Sequence, residues 1–545
     1  MRKWSAALGI ALAALLGLGF ARDSDWFFEL RKHFTIFSEL YTEVATYYVD
    51  EVPPSKLIRG AIEGMLELLD PYTSFIDETQ REDVELLTSG RYGGVGLSIG
   101  EREGQIVVLR PLEGYSAFRQ GIRAGDVLLE VNGQPLQGLS TAEVSALLRG
   151  EPNTTVSVKV LREGEPEPLE FVLVRERVKL RDVAYAGRVA PGIGYVRLER
   201  FSEGAPREFA EAIAQLRREG ALEGLILDLR GNPGGLLEAA VAVVGHFLPR
   251  GSPVVTMRGR RGALEREYRT TDPPTLPDVP LVVLVDRESA SASEIVAGTI
   301  QDLDRGVIMG ERTFGKGLVQ IIRPLSYNTS VKITTARYYI PSGRSIQAID
   351  YAAHTRNGGR LIPDSLRRPF RTRTGRVVYD GVGIEPDVPV ARRAMSPLEE
   401  ALARRMLIFE FANRFAARHR TIPDTFSVSD ALYAEFQAFL RERGFSYETP
   451  LERGLRELEQ RAQEQGLLEA LRSELEALGR AVAAEKARDF LRYAPQIKRE
   501  LRREILARYY GTSRLIALEL EEDELLRRAI ALLRSPEQYR RILGG

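Results

Sequence analysis

Three serines and one lysine are the residues of this sequence best suited to covalent catalysis. Ser289, Ser291 and Ser293 alternate with alanines just after an apolar segment, and Lys316 follows between two glycines. A serine hydroxyl is a poor nucleophile until a base takes its proton, and a neutral lysine amine can be that base. The combination therefore predicts nucleophilic catalysis by a serine.

Ser291 lies where a predicted strand has ended and a helix begins. A nucleophile placed there is exposed at the edge of a sheet, and the helix N-terminus stabilises negative charge that develops nearby. Serine is also a favoured N-cap, and a single serine at a helix start usually only caps it. Three alternating serines exceed that need, because one cap suffices.

Lys316 stands out because this chain places arginine at most positions that need a cation. Arginine keeps its proton in proteins, whereas a desolvated lysine can lose it. At the ordinary lysine pKa of about 10.4, roughly one lysine in 2,500 is neutral at pH 7. We expect burial against Phe314, Leu318 and Val319 to lower that pKa by several units. A surface lysine in a turn explains the residue equally well when it is considered alone.

Gln320, four residues after Lys316, completes the candidate site. If residues 318–322 form a strand, the two side chains point to the same face, where a neutral amide can hold the amine without adding charge. Residues 310–316 also fit the first seven positions of a phosphate-binding loop, but the eighth is Gly317 instead of Ser or Thr. A strand pattern follows in place of the required helix, so we reject nucleotide binding.

Backbone N–H groups near the serines are candidates for an oxyanion hole. Gly234 and Gly235 follow a buried strand that ends at Leu229. Because the carboxyl ends of parallel strands meet at one edge of a sheet, this loop is expected near the serines. Its bare N–H groups and that of Ala292 would then face a developing oxyanion. A helix-entry turn that needs positive φ accounts for the glycines equally well.

A second glycine-rich segment suits peptide binding. Gly94, Val95, Gly96 and Leu97 open a predicted strand. Successive backbone N–H groups there can form a nest for a terminal carboxylate, while the peptide extends the edge of the sheet. The alternative is a flexible entry to a β-hairpin.

The composition excludes several classes of function. The 545 residues have a formal net charge of +0, 44% are hydrophobic and none is cysteine. A chain without excess basic charge is not expected to bind nucleic acid. The lack of cysteine excludes disulfides, cysteine–zinc sites and a cysteine nucleophile, and the four histidines are too scattered for a metal site. We therefore expect neither a metal nor a cofactor.

The N-terminal part of the chain predicts export followed by helices. Residues 1–21 carry Arg2 and Lys3 before an apolar run, which is typical of an export signal; an uncleaved membrane anchor is the alternative. Either would place the protein in the periplasm or the cell envelope. Residues 22–88 show helical periodicity.

The rest of the chain predicts two folded domains and a helical end. Short strands and glycine turns fill residues 89–176. Strands, loops and apolar helices alternate from 177 to 392, which indicates an α/β core with parallel strands. Residues 393–545 are rich in Leu, Glu, Arg and Ala and predict helices. The expected fold class is multidomain, with a mixed α/β core, an inserted β module and helical N- and C-terminal regions.

Together these motifs resemble the carboxyl-terminal processing proteases, tail-specific serine peptidases that contain a PDZ domain. The resemblance extends to about Val390 and rests on the segments Ala61–Phe75, Gly94–Leu97, Ala124–Leu128, Asp228–Gly235, Ser289–Glu294, Gly315–Gln320, Thr335–Gln347 and Gly383–Val388. It implies that residues 89–176 are a PDZ domain and that residues 177–392 are the protease core. Residues 348–382 form an Arg- and Gly-rich insert relative to the family pattern.

The resemblance also implies roles. Ser291 would be the nucleophile, Lys316 the general base and Gln320 the residue that orients the lysine. The PDZ domain would bind the free C-terminal tail of a protein or peptide substrate and order the active site, with Arg149 as a candidate for relaying that signal. The C-terminal helices lie outside the shared pattern, and homo-oligomerisation or docking of an adaptor protein is expected of them rather than chemistry.

The expected function is a serine endopeptidase that cleaves C-terminal tails of exported or membrane-associated proteins. The first alternative is a non-catalytic scaffold that binds tails through the PDZ domain, and the complete set of Ser291, Lys316 and Gln320 argues against it. The second is an acyl-transfer enzyme of related architecture, which would not need a peptide-binding module.

Overall fold

The computed structural model describes residues 26–77, 89–260, 265–351, 359–423 and 425–544. The chain divides into two compact units; one consists of residues up to 77 with 320–334 and 351–360, and the other of the remainder. The apolar run at residues 4–20 lies outside the described residues, and so does the export signal predicted there. No helix of the described ranges combines the length and the apolar character that a membrane span requires.

The first unit begins with helices. Helix α1 covers residues 26–47, and α2 covers Pro54–Leu66 with proline at its first position. Proline is tolerated there because its missing N–H would have no partner in the helix. Strand β1 (Ser74–Ile76) follows and pairs antiparallel with residues 330–332. The sequence pattern predicts both helices.

The predicted β module belongs to the second unit. Its six-stranded sheet has the order β3-β4-β5-β7-β8, with β6 paired to β5, and β2 pairs separately with β9. The elements are β2 (Arg91–Gly94), β3 (Leu97–Arg102), β4 (Gln105–Pro111), α3 (Ser116–Arg119), β5 (Val127–Val131), β6 (Gln134–Pro135), α4 (Thr141–Leu148), β7 (Thr155–Leu161), β8 (Leu169–Val174) and β9 (Glu176–Lys179). Val156, Val158 and Val160 alternate into the core of this module, as the period of a strand requires.

A second six-stranded sheet forms the core, in the order β10-β11-β12-β15-β16-β23. All its neighbours are parallel except β10 and β11. Along the chain, the elements between residues 183 and 389 are β10 (Val183–Ala190), β11 (Ile193–Leu198), α5 (Ala205–Arg218), β12 (Gly224–Asp228), α6 (Leu237–Gly245), β13 (Pro253–Gly259), β14 (Arg266–Arg269), β15 (Leu281–Val285), α7 (Ala292–Asp302), β16 (Val307–Gly310), β17 (Leu318–Pro324), β18 (Ser330–Tyr339), β19 (Ile349–Asp350), β20 (Arg360–Leu361), β21 (Pro369–Arg371), β22 (Val377–Tyr379) and β23 (Val388–Pro389), of which residues 320–334 and 351–360 belong to the first unit.

Both faces of this sheet are buried, which explains why β12 and β15 read as unbroken apolar runs. Leu227 and Val283 pack on one face with residues of α5, α6 and α7. Ile226, Val282 and Leu284 lie on the other face. The sheet therefore needs a cover on its second face as well.

The C-terminal region is helical, as predicted, and part of it provides that cover. Its helices are α8 (Pro397–Arg404), α9 (Leu407–Arg418), α10 (Asp430–Glu442), α11 (Pro450–Glu464), α12 (Leu468–Lys486), α13 (Asp489–Arg492), α14 (Ala494–Leu506), α15 (Thr512–Leu520), α16 (Glu524–Leu533) and α17 (Pro536–Ile542). Ile516, Leu526 and Tyr539 pack on the second face of the sheet. The last three helices are therefore part of the protease core, a role that the sequence analysis missed.

A separate hydrophobic core lies within the C-terminal helices. It joins α8, α9, α10 and α14 through residues such as Leu402, Phe411, Phe436 and Leu501. The fold class expected from the sequence, a mixed α/β core with a β module and helical ends, is confirmed.

Candidate active site

Ser291 occupies a sharp turn between β15 and α7. It is the residue before the helix, and its φ of 56° and ψ of −113° are unfavourable for any residue except glycine. Backbone strain of this kind persists only where surrounding structure enforces it. Ser291 lies beyond the carboxyl end of β15, at the edge of the sheet. The residue is half-buried, so solvent can reach it.

The neighbouring serines have structural roles. The Ser289 hydroxyl donates to the carbonyl of Leu229 at 2.8 Å, and the Ser293 hydroxyl donates to the carbonyl of Asn232 at 2.9 Å. Both serines are 0% exposed. They fix the turn to the loop that follows β12, which explains why serine recurs on both sides of Ser291.

Gly234 is in close contact with the turn. A Cβ added to it would lie 2.6 Å from the Ala290 carbonyl oxygen and 2.9 Å from both the Ala292 nitrogen and the Ser291 Cβ. Its φ of 101° also favours glycine. The structure thus brings the glycine loop and Ser291 together, as the parallel arrangement of β12 and β15 predicts.

The N–H groups of this region differ in their partners. The Gly234 N–H donates to Oδ1 of Asn232 at 2.9 Å. Across the part of the chain that the structure describes, no hydrogen bond is donated by the N–H of Gly235 or of Ala292. Gly235 and Ala292 are therefore the better donors for an oxyanion, and Gly234 is fixed by its role in the loop.

Glu294 links the segments that carry Ser291 and Lys316, and the sequence analysis gave it no role. Its Oε2 accepts the Ser291 N–H at 2.9 Å and the Lys316 N–H at 2.9 Å. Its Oε1 accepts the Thr313 hydroxyl at 2.6 Å and the Gly315 N–H at 2.7 Å. One buried carboxylate thus holds both backbones. The sequence signal was an acidic residue at the third position of a helix, which also fits simple capping.

The pKa of Glu294 predicts a pH-dependent stability. Burial raises this pKa from 4.5 to about 7, although the hydrogen bonds from Thr313, Lys316, Ser291 and Gly315 act to lower it. The folded state therefore binds an additional proton between these values, and that stabilisation is full below pH 4.5 and is lost as pH rises through 7. The difference is on the order of 3 kcal/mol.

Urea unfolding of the wild type and Glu294→Gln across this pH range measures that difference. We expect the unfolding free energy of the wild type to fall more steeply with pH than that of the variant. Parallel pH profiles for the two proteins would show that Glu294 ionises at its ordinary pKa.

Lys316 lies in a loop whose backbone is held at several points. Its carbonyl accepts the hydroxyl of Tyr338, and the next N–H, that of Gly317, donates to Oε1 of Gln347 at 2.7 Å. The Lys316 side chain is half-buried. Of the three residues expected to bury it, Leu318 is buried, Val319 is half-buried and Phe314 is 45% exposed.

Gln320 lies in β17, as predicted, and belongs to the first unit. Its Nε2 donates to the Thr334 hydroxyl at 3.1 Å, and that hydroxyl donates to Oδ1 of Asp70 at 3.1 Å. Asp70 also accepts the N–H groups of Tyr72 and Thr73. The Asp-Pro-Tyr-Thr turn is therefore tied through Thr334 to the glutamine.

The glycine loop begins at a buried ion pair. Arg230 Nη2 is 2.6 Å from Oδ2 of Asp228 at the end of β12, and the Tyr195 hydroxyl donates to the same oxygen at 2.5 Å. Burial alone would raise the pKa of Asp228, but the Arg230 guanidinium lowers it below its ordinary value. The start of the loop is thus held by a charged network.

The β module contains a groove of about 260 Å³ between β3 and α4. Gly94, Val95 and Leu97 line it, as do the apolar side chains of Leu148 and Leu180. Gly96, the fourth member of the predicted segment, has a φ of 76°. The mixture of bare backbone and apolar side chains suits an extended peptide with an apolar end.

Arg149 lies at the rim of this groove. It is the C-cap of α4, and its guanidinium lies 5.5 Å from the ring centroid of Tyr92, another residue of the lining. Tyr92 belongs to β2, whose partner β9 precedes the protease core along the chain. The predicted relay residue is therefore part of the groove itself.

Gly234→Ala tests the close approach of the glycine loop. The added Cβ would clash with Ala290 and Ser291 and would require an unfavourable φ, so we expect unfolding free energy to fall by about 2 kcal/mol and cleavage to be lost. The control is Gly245→Ala in α6, where no atom lies within 4 Å of an added Cβ. Urea unfolding and a peptide cleavage assay measure both effects. Equal stability of the two variants would contradict the contact.

Comparisons with known proteins agree with this architecture. The sequence profile of peptidase family S41 matches residues 192–355, and that of a PDZ domain matches residues 107–162. Profiles described as the N-terminal domain of the activating protease CtpB and as the probable C-terminal helical domain of PDZ-proteases match residues 22–80 and 398–533.

Three relatives are carboxyl-terminal processing proteases. That of Bartonella bacilliformis is 37% identical over 58% of this chain and 73% of its own length. That of Synechocystis sp. is 35% identical over 64% of this chain and 86% of its own length. CtpB of Bacillus subtilis is 30% identical over 56% of this chain and 64% of its own length. With its PDZ domain, its protease core and the strained serine at the edge of the sheet, the chain belongs to the carboxyl-terminal processing proteases, serine-type peptidases of family S41.

Proposed function

We propose that this peptidase uses a Ser291–Lys316 dyad to cleave proteins near a free C-terminal tail that its PDZ groove has bound. The observation that carries the proposal is the shared carboxylate of Glu294, which accepts the backbone N–H groups of both residues at 2.9 Å. Two residues whose backbones bond to one side chain lie in neighbouring loops, and this supports a placement in which the Ser291 hydroxyl and the Lys316 amine exchange a proton.

In the proposed reaction, the neutral Lys316 amine takes the proton of Ser291 as its oxygen attacks the peptide carbonyl. The resulting ammonium gives that proton to the leaving nitrogen as the C–N bond breaks, leaving an acyl-enzyme. Water then attacks the ester, with Lys316 again as base. By its resemblance to the family, Gln320 is assigned the role of orienting the Lys316 side chain.

The oxyanion is assigned to the N–H groups of Ala292 and Gly235. Ala292 is the first residue of α7, so its N–H has no acceptor within the helix. It is therefore available to an oxyanion at the helix N-terminus, where the helix dipole also favours negative charge. Donors fixed before the reaction need no rearrangement when the negative charge forms.

Substrate selection is assigned to the PDZ groove. The backbone of residues 94–97 would bind the terminal carboxylate, and Val95, Leu97 and Leu148 would contact an apolar last side chain. Arg149, stacked on Tyr92 at the rim, is the proposed relay between an occupied groove and the protease core.

The proposal extends to location and assembly. The export signal predicted at residues 1–21 supports substrates among exported or membrane-associated proteins. Exposed leucines on α11 and α12, such as Leu451 and Leu478, support a protein contact of the C-terminal helices, either with a second copy or with an adaptor.

Two measurements test the central proposal. A fluorophosphonate probe should label Ser291, and peptide mapping should find no label on Ser289 or Ser293. A substrate with a free C-terminal carboxylate should be cleaved faster than the same substrate with an amidated C-terminus. Label on another serine would overturn the nucleophile, and equal rates for the two substrates would overturn recognition of the tail.

A further inference from the structure

Asp523, in the C-terminal helical region, reaches the loop that carries the oxyanion donor. Its Oδ2 lies 2.7 Å from Nη2 of Arg230. Its Oδ1 accepts the Leu526 N–H at 3.0 Å and so caps α16. One side chain therefore joins a helix terminus on the second face of the sheet to the start of the glycine loop.

Arg230 transmits this contact to the loop. Nη2 of its guanidinium donates to both Asp228 and Asp523. The backbone N–H of Arg230 donates to Oδ1 of Asp228 at 2.9 Å. Two residues later, Asn232 donates through Nδ2 to the Leu198 carbonyl and accepts the Gly234 N–H. A shift of Arg230 would therefore move the segment that positions Gly235.

The ion pair is shielded enough to hold its geometry. Asp228 is 1% exposed, Arg230 is 24% exposed and Asp523 is 17% exposed. An arginine that is hydrogen-bonded to carboxylates in a partly buried site holds a defined geometry. Ion pairs that are fully exposed to solvent, in contrast, contribute little to stability.

Helix α15 connects this pair to the PDZ groove. Its first residue, Thr512, accepts a hydrogen bond from Nη1 of Arg110 at 3.1 Å, and Arg110 lines the groove. Ile516 and Leu520 of the same helix are buried against the core sheet. Asp523 follows shortly after the helix ends. A single packed element thus runs from a groove residue to the partner of Arg230.

We propose that Asp523 is a positioning residue for the glycine loop and that α15 makes its position depend on whether a tail occupies the groove. The inference rests on the proposed function of the groove and the dyad. The terminal carboxylate of the tail, held beside the backbone of residues 94–97, would compete with the neutral Thr512 hydroxyl for Arg110 of the same groove, because hydrogen bonds to charged acceptors are stronger. Release of Thr512 would then free the N-terminal end of α15.

Asp523→Asn in the full-length chain separates the two contacts of this residue. Asparagine caps a helix as well as aspartate does, so α16 is retained while the charge opposite Arg230 is removed. For a substrate with a free tail, we expect kcat to fall about tenfold through misplacement of the loop. KM and the Kd of a tail peptide, measured by fluorescence anisotropy in the Ser291→Ala background, should change by no more than about threefold, the size of the coupling to the groove, because coupling between two sites acts equally in both directions.

The matched control is Glu522→Gln, at the adjacent position. Glu522 is 46% exposed and pairs with Arg502 at 3.0 Å, and within the described ranges it forms no ion pair with Arg230. We expect its kcat to equal that of the wild type. A fall in kcat shared by both variants, or a rise in KM or Kd without a fall in kcat, would overturn the role of Asp523.

Coupling through α15 needs a double-mutant cycle. Thr512→Val removes the acceptor of Arg110, so the ratio of cleavage rates for free and amidated tails should change about threefold. In the Asp523→Asn background the same substitution should leave that ratio unchanged. Equal changes in both backgrounds would overturn the coupling.

Hydrogen exchange provides a readout that does not require turnover. Amides of residues 231–235 should exchange faster in Asp523→Asn than in Glu522→Gln, and equal protection would overturn the inference. If the wild type does not cleave a tail-bearing substrate, or Ser291→Ala still does, the proposed function fails instead. The two failures are therefore distinguishable.

Discussion

Replacing Lys316 by arginine is expected to inactivate the enzyme as completely as replacing it by alanine. Arginine preserves the positive charge and much of the length, but its guanidinium does not release its proton in proteins. A residue that only attracted an anion would tolerate the exchange. We expect kcat to fall by about 10³-fold or more in both variants, as for loss of a general base. Steady-state cleavage of a tail-bearing peptide measures it.

Lys498→Arg is the matched control for this substitution. Lys498 forms an ion pair with Asp430, which is fully exposed, so the exchange there should leave kcat unchanged. An arginine variant at position 316 that keeps a tenth of the activity would show that the lysine acts only as a fixed cation.

Much of the core could be predicted because its signals are local. The apolar run Leu281–Val285 predicts a strand, because it is too short for a helix and lies between loops, and the structure forms a strand with those bounds. The adjacent parallel strand β12 then determines that the loop at Gly234 meets the turn at Ser291. Sequence periodicity and one rule of sheet topology thus suffice to place these two segments together.

Other features depend on contacts between distant residues and could not be predicted. The apolar faces of α15, α16 and α17 predict that these helices pack against something, but not that they cover the second face of the sheet. Tyr539 shows the consequence, since its hydroxyl both donates to the Leu281 carbonyl and accepts the Leu281 N–H. Assigning the C-terminal region only to assembly was therefore too narrow.

The role of Glu294 was missed for the same reason. At the third position of a helix, an acidic residue usually faces solvent and stabilises the first turn. Here it is fully buried, because Thr313, Gly315 and Lys316 come from a loop beyond β16 to donate to it. Only the tertiary structure reveals that a capping residue also joins the backbone at Ser291 to the backbone at Lys316.

Local sequence patterns do not determine which of the three serines is accessible. The sequence places all three at the junction of a strand and a helix without separating their roles, and in the structure the chain turns at Ser291 and enters the helix. Ser289 and Ser293 are then held against the carbonyls of Leu229 and Asn232, whereas Ser291 is left half-buried at the strained position. The resemblance to the family selects the same residue from its motif alone.

Ser291→Ala is expected to lower kcat by about 10⁴-fold or more while leaving the Kd of a tail peptide unchanged. The substitution removes the atom that forms the acyl bond, and the groove between β3 and α4 is lined by other residues. Cleavage kinetics with fluorescence anisotropy of a labelled tail peptide give both quantities. The result would separate a peptidase from a tail-binding scaffold, which loses nothing when its serine is replaced.

Ser293→Ala is the matched control, because it separates loss of the nucleophile from loss of the geometry of the turn. It removes a hydroxyl of the same size two residues away and leaves the Asn232 carbonyl without that donor, so we expect unfolding free energy to fall by about 1–3 kcal/mol. Its kcat should stay within about tenfold of the wild type, because its oxygen forms no bond in the reaction. If Ser293→Ala were as inactive as Ser291→Ala, loss of the turn's geometry would explain both results. Nucleophilic attack by Ser291 requires the two variants to differ by orders of magnitude in kcat.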